Sequence, residues 1–183
     1  KTITQAFLDG RRVITSAKGA KLTDSQRASL RKYAAIIEKN WEQTLAEAVF
    51  KYAGSCFKAL NKLKKSQSPK SLAKYVKYWG ELKGFSLSLQ AGRKNLGETA
   101  TRLNRLIGFG PVLMNSSQVV DINSKGQYVK DQSSGVDNYM VHMLKVQKLM
   151  VDKFGVKARA NDALSGLGAM IKKLGKGAAA END

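Results

Sequence analysis

The chain has 183 residues, with 32 Lys plus Arg against 14 Asp plus Glu and a formal net charge of +18. That excess draws polyanions such as nucleic acid, anionic lipid or acidic polysaccharide, without saying which. One cysteine, Cys56, excludes an internal disulfide framework and a CxxC metal clip, and one histidine makes any Cys-His chemistry depend on His142 meeting Cys56.

Hydrophobic residues make up 43% of the chain, enough for one domain or one large half of a two-part protein. Only Pro69 and Pro111 occur, so long helices are permitted. No apolar run approaches the roughly 20 residues that span a bilayer. No signal peptide is visible, and the start at Lys1 without Met points to a processed or excised product.

Helical periodicity dominates. Residues 2–17 read as a first helix in which Ile3, Phe7 and Ile14 share a face, stopped at Gly19. Thr23 and Gln26 have capping-box spacing and open a helix to about Lys65. Its apolar stripe includes Leu30, Tyr33, Ile37, Trp41, Leu45, Tyr52, Phe57 and Leu60, and Gly54 is a place where it could bend or break. Ser68 reads as an N-cap with Pro69 in the first helical position, for a helix over 69–91. Gly80 and Gly84 inside that helix each cost about 1 kcal/mol relative to Ala, which suggests close helix packing or a functional constraint.

A shorter helix is predicted over 98–107, broken by Gly108-Phe109-Gly110-Pro111. Residues 112–132 look least helical, and 119–129 reads as a small hairpin or ordered loop. A helix over 136–154 ends at Gly155, 162–173 is weakly helical, and 175–183 reads as a frayed tail. The expected fold is all-α: a single domain of four to six helices with an irregular or hairpin insertion around 112–132. Trp41, Tyr52, Phe57, Trp79, Phe85, Leu89, Tyr139, Met143 and Met150 are its expected packing residues.

Two segments, Tyr78-Trp79-Gly80-Glu81-Leu82-Lys83-Gly84-Phe85 through Gln90 and Ile107 through Leu113, resemble an uncharacterised bacterial family, domain of unknown function 4856. Asn161-Asp162-Ala163 is similar too. The resemblance implies an imelysin-like helical bundle of the cell envelope or periplasm, with this chain as the C-terminal part of a longer precursor. A cytoplasmic location stays open. The Gly-x-His-x-x-Glu motif of imelysin-like proteins is absent, since the only histidine lies in Met140-Val141-His142-Met143. The resemblance therefore implies a fold and a location, but no metal site, cofactor or peptidase activity.

Glu81 stands out among the carboxylates. Paired with Lys77 four residues earlier, it reads either as an ion pair that fixes helix register or as a ligand-facing group beside Lys83, Tyr78 and Trp79. Glu42 and Glu47 offer further carboxylates on the long helix, but no spacing joins them to Glu81. Asp121 through Gly126 fails as a calcium loop, because Lys125 replaces a ligand and Gln132 stands where the closing Glu belongs.

Lys58, Lys62 and Lys65 share one helical face, and Lys70, Lys74 and Lys77 share another. An antiparallel pairing across the short 66–69 connection would merge them into a basic patch interleaved with Tyr75 and Tyr78. The bland alternative is a solvated face that only aids solubility. Residues 170–176 are basic and amphipathic and suit an anionic membrane surface.

Three functions are compatible with this sequence. The first is a non-enzymatic, envelope-associated binding or assembly protein with an acidic partner chain, the other half of a precursor, or an oligomeric partner. The second is a cationic polyanion-binding module. The third and weakest is a metal-dependent hydrolase of the imelysin type.

Overall fold

The computed structural model describes residues 1–92, 94–114, 118–131 and 135–174. Among them are six α-helices: α1 (Thr2–Ser16), α2 (Asp24–Ser66), α3 (Pro69–Gln90), α4 (Glu98–Ile107), α5 (Val136–Phe154) and α6 (Leu167–Leu174). An antiparallel hairpin of β1 (Gln118–Ile122) and β2 (Tyr128–Asp131) separates α4 from α5 in sequence. The protein is an all-α helical bundle with a small hairpin insertion. The tail expected at 175–183, Arg93 and Gln132 lie outside the described residues.

Local chemistry sets the helix ends. Gln26 N–H donates to Thr23 Oγ1 (3.2 Å) and Thr23 N–H to Gln26 Oε1 (2.9 Å), closing the capping box of α2. Ser68 caps α3 by accepting from Ser71 N–H at 3.2 Å, with Pro69 first in the helix. Gly155 ends α5 in the left-handed conformation, its N–H donating to the Val151 carbonyl. In the hairpin turn, Asn123 Oδ1 accepts from the N–H groups of Lys125 and Gln127, both at 3.0 Å.

The contacts divide the chain into two compact units, Lys1–Thr44 and Leu45–Asp183. In the first unit, α1 lies along the N-terminal part of α2, with Gly10 opposite Leu30 and Tyr33. Ala6 is buried there. Ile3, Phe7 and Ile14 share the apolar register read from the sequence. Ile3 is half-buried, but Phe7 and Ile14 are 56% and 59% exposed.

The second unit holds the core. It joins Val49, Phe50, Leu60 and Leu63 of α2, Tyr75, Leu82 and Leu89 of α3, Leu103, Leu106 and Ile107 of α4, and Tyr139, Met143 and Met150 of α5. Helix α5 is buried on most of its circumference, from Val136 through Met150, so it is the central helix of this unit. Tyr52, Phe57, Trp79 and Phe85 pack against the core as partly buried side chains.

Three expectations need correction. Trp41 is not a packing residue: it is 52% exposed. Gly54 does not interrupt α2, which continues through it. It is instead a point of close approach, where an added Cβ would strike the Asn161 carbonyl and stand 2.6 Å from Gln147 Nε2. Gly80 and Gly84 show the reverse. A Cβ on either would meet nothing within 4 Å among the described residues, so close packing within the chain does not explain them.

Candidate functional site

Helices α2 and α3 run antiparallel, because Ser66 Oγ meets Ser71 Oγ at 2.7 Å at the turn while Tyr52 stacks on Phe85 (5.4 Å between centroids) at the far end. This pairing places the two lysine rows on helices that share an edge. Lys58, Lys62 and Lys65 are exposed on α2, and Lys70, Lys74 and Lys77 on α3. Aromatic rings bridge the edge: Tyr52 and Tyr78 lie 6.3 Å apart. Lys51 Nζ stands 5.1 Å from the Tyr52 ring, and Lys74 Nζ stands 5.7 Å from the Tyr78 ring.

The interleaved aromatic beside Tyr78 is therefore Tyr52, not Tyr75. Tyr75 is fully buried, and burial pushes its phenol far above the usual range. Lys51 was also missed. Its signal was in the sequence, since Lys51, Lys58, Lys62 and Lys65 recur at steps of seven, four and three on one helical face.

Between Glu47 and Glu81 the chain carries eight lysines and no carboxylate. Lys64 pairs with Asp137 of α5, and Lys58 Nζ donates to Asn161 Oδ1 at 3.1 Å. Lys51, Lys62, Lys65, Lys70 and Lys74 form no ion pair with another described residue. Their charges add along a row that reaches about 21 Å from Lys51 to Lys65 at 1.5 Å rise per residue.

Glu81 sits at the edge of this surface. Lys77 Nζ lies 3.9 Å from its carboxylate, the i,i+4 pair that the spacing predicts. The Tyr52 hydroxyl also hydrogen-bonds to Glu81, and that bond, with burial second, raises the Tyr52 pKa. Among the described residues no cluster of three His, Cys, Asp or Glu side chains could hold a metal.

Trp79 and Lys83 face another way and fasten the end of α4. Trp79 Nε1 donates to Tyr139 Oη at 2.8 Å, and Tyr139 Oη donates to the Ile107 carbonyl at 2.7 Å. Lys83 Nζ donates to the Gly108 carbonyl at 2.8 Å and lies 5.5 Å from the Phe109 ring. The ammonium caps a helix C-terminus, where positive charge is favoured. Desolvation lowers its pKa. The segments around Trp79 and around Ile107, distant in sequence, thus meet in one corner of the fold.

Cys56 is buried, and burial raises its thiol pKa well above the ordinary value, so it is unprimed as a nucleophile. His142 is buried on α5, its ring 6.1 Å from that of Tyr139.

No protein-family profile matches the chain, and no curated protein or solved structure was found to be similar to it.

Proposed function

We propose that this chain is a non-enzymatic binding protein that takes a polyanion, most simply a nucleic-acid backbone, on the lysine-lined face of α2 and α3. The observation that carries the reading is the run of exposed lysines on two antiparallel helices, five of them without an ion pair to a described residue. A lysine is a compact point charge that suits single phosphates. The stretch between Glu47 and Glu81 contains no arginine, the side chain best shaped for bidentate reading of guanine. Binding is therefore directed at backbone charge and indifferent to base sequence.

A second reading is an envelope-associated assembly protein with an acidic partner chain. What supports it is the net charge of +18, which an acidic partner chain would balance. Native mass spectrometry of the protein from its source separates the two readings. Heterogeneous nucleic acid that strips off at high salt supports the first, whereas an acidic chain at fixed stoichiometry replaces it with the second.

A further inference from the structure

Helix α1 has two apolar faces, and only one is used within the first unit. Its inner side carries Ala6 and Gly10 toward α2. Its outer side carries Phe7, Arg11, Ile14 and, just past the helix, Lys18, at steps of four, three and four. Phe7, Leu8 and Ile14 are all exposed large hydrophobics. Beside them runs a groove of about 620 Å³, lined by Leu8, Arg11, Arg12, Thr15, Ser16 and Lys18. Arg12 Nη1 reaches Asp9 at 3.1 Å, while Arg11 and Lys18 have no ion pair with a described residue.

We infer that this side of α1 docks on an anionic bilayer surface. Charge complementarity selects the occupant. The unit carries nine Lys and Arg against four Asp and Glu, and three of those cations converge on one groove beside exposed Phe, Leu and Ile side chains. An interfacial helix needs that combination: apolar side chains enter the boundary between headgroups and acyl chains, and flanking cations hold lipid phosphates. Arg11 and Lys18 take the phosphates, and Phe7 and Ile14 supply the part of the binding that salt does not screen. This surface is independent of the lysine face on α2 and α3.

The test is flotation of the full chain with vesicles of phosphatidylglycerol and phosphatidylcholine, against phosphatidylcholine alone, at low salt and at about 0.5 M, where exposed charges are strongly screened. The inference predicts binding to anionic vesicles only, with a fraction retained at high salt. Phe7→Ser with Ile14→Ser should reduce that retained fraction about tenfold or more while leaving low-salt binding. Phe7→Leu with Ile14→Leu should restore it. Circular dichroism checks that each variant folds. Arg11→Gln with Lys18→Gln should lower low-salt binding more than Lys62→Gln with Lys65→Gln does, and the reverse order would overturn the inference. Equal high-salt retention by wild type and the serine variant would overturn it. So would absence of vesicle binding, or a lipid-free dimer that the serine variant dissociates, which would make a second copy the occupant.

Discussion

Gly54 of α2 lies directly beneath the backbone carbonyl of Asn161, closer than any side-chain carbon at that position would permit. Gln147 of α5 fixes this approach. Its fully buried amide donates to the Phe50 carbonyl (3.0 Å) and the Asn161 carbonyl (3.1 Å) and accepts from Ala163 N–H (3.0 Å). Asn161 adopts a left-handed backbone (φ +60°), and its side chain donates to Ser55 Oγ at 2.9 Å. One glycine and one glutamine thereby clamp the segment after α5 onto α2.

The glycines should respond to alanine in opposite directions. Gly54→Ala forces a Cβ into backbone and should destabilise the protein by about 1–3 kcal/mol. Gly80→Ala and Gly84→Ala meet open space, so each should stabilise by up to about 1 kcal/mol through helix propensity. Urea denaturation of the three variants gives the signs directly, and a stabilising Gly54→Ala would contradict the clamp.

Gln147→Leu removes three hydrogen bonds at once and strands polar backbone groups around Asn161. The expected loss is about 2 kcal/mol or more. Hydrogen exchange adds a local reading: the Ala163 amide should exchange faster, while amides in the middle of α5 keep their protection.

Stability should fall on the alkaline side. Burial raises the pKa of Cys56 from 9.0 and of Tyr75 and Tyr139 from 10.0. Above those ordinary values the unfolded chain loses protons that the folded chain keeps, so raising the pH favours unfolding. The stabilisation is complete below about pH 9 and declines as pH rises from there. Lys83 pulls the other way, because desolvation lowers its pKa, but it is one half-buried lysine against two buried phenols and a buried thiol. Tyr139→Phe should flatten the decline above pH 10.0 in chemical-denaturation series, at the cost of the Trp79 and Ile107 hydrogen bonds.

Helix positions were legible in the sequence wherever a local signal set them. The Thr23–Gln26 box, Ser68-Pro69 and Gly155 fix boundaries that need no tertiary information. Periodicity likewise placed Lys58, Lys62 and Lys65 on one face. What it lacks is the direction of each face. Trp41, Phe7 and Ile14 sit in good apolar registers yet lie exposed, because a stripe says that a side chain can be covered, not that a neighbour covers it. Tyr75 was misplaced for a related reason: it lies near the α2–α3 edge, and only the packing decides that its ring enters the core while Tyr52, packed against the core, stays at the edge. The Gly54–Asn161 approach was invisible because it joins residues far apart in the chain through backbone atoms, which carry no side-chain signature.

The central claim concerns the lysine face, and the salt dependence of binding tests it most directly. Fluorescence anisotropy of a labelled single-stranded oligonucleotide would be followed across a salt series for wild type and for the variant carrying Lys62→Gln, Lys65→Gln, Lys70→Gln and Lys74→Gln. Each lysine that faces a phosphate of a single strand contributes about 0.7 to the slope of log affinity against log salt, so the variant's slope should drop by up to about three. The affinity should fall equally for oligonucleotides of different sequence. An unchanged slope, or no binding by wild type at low salt, would contradict the account.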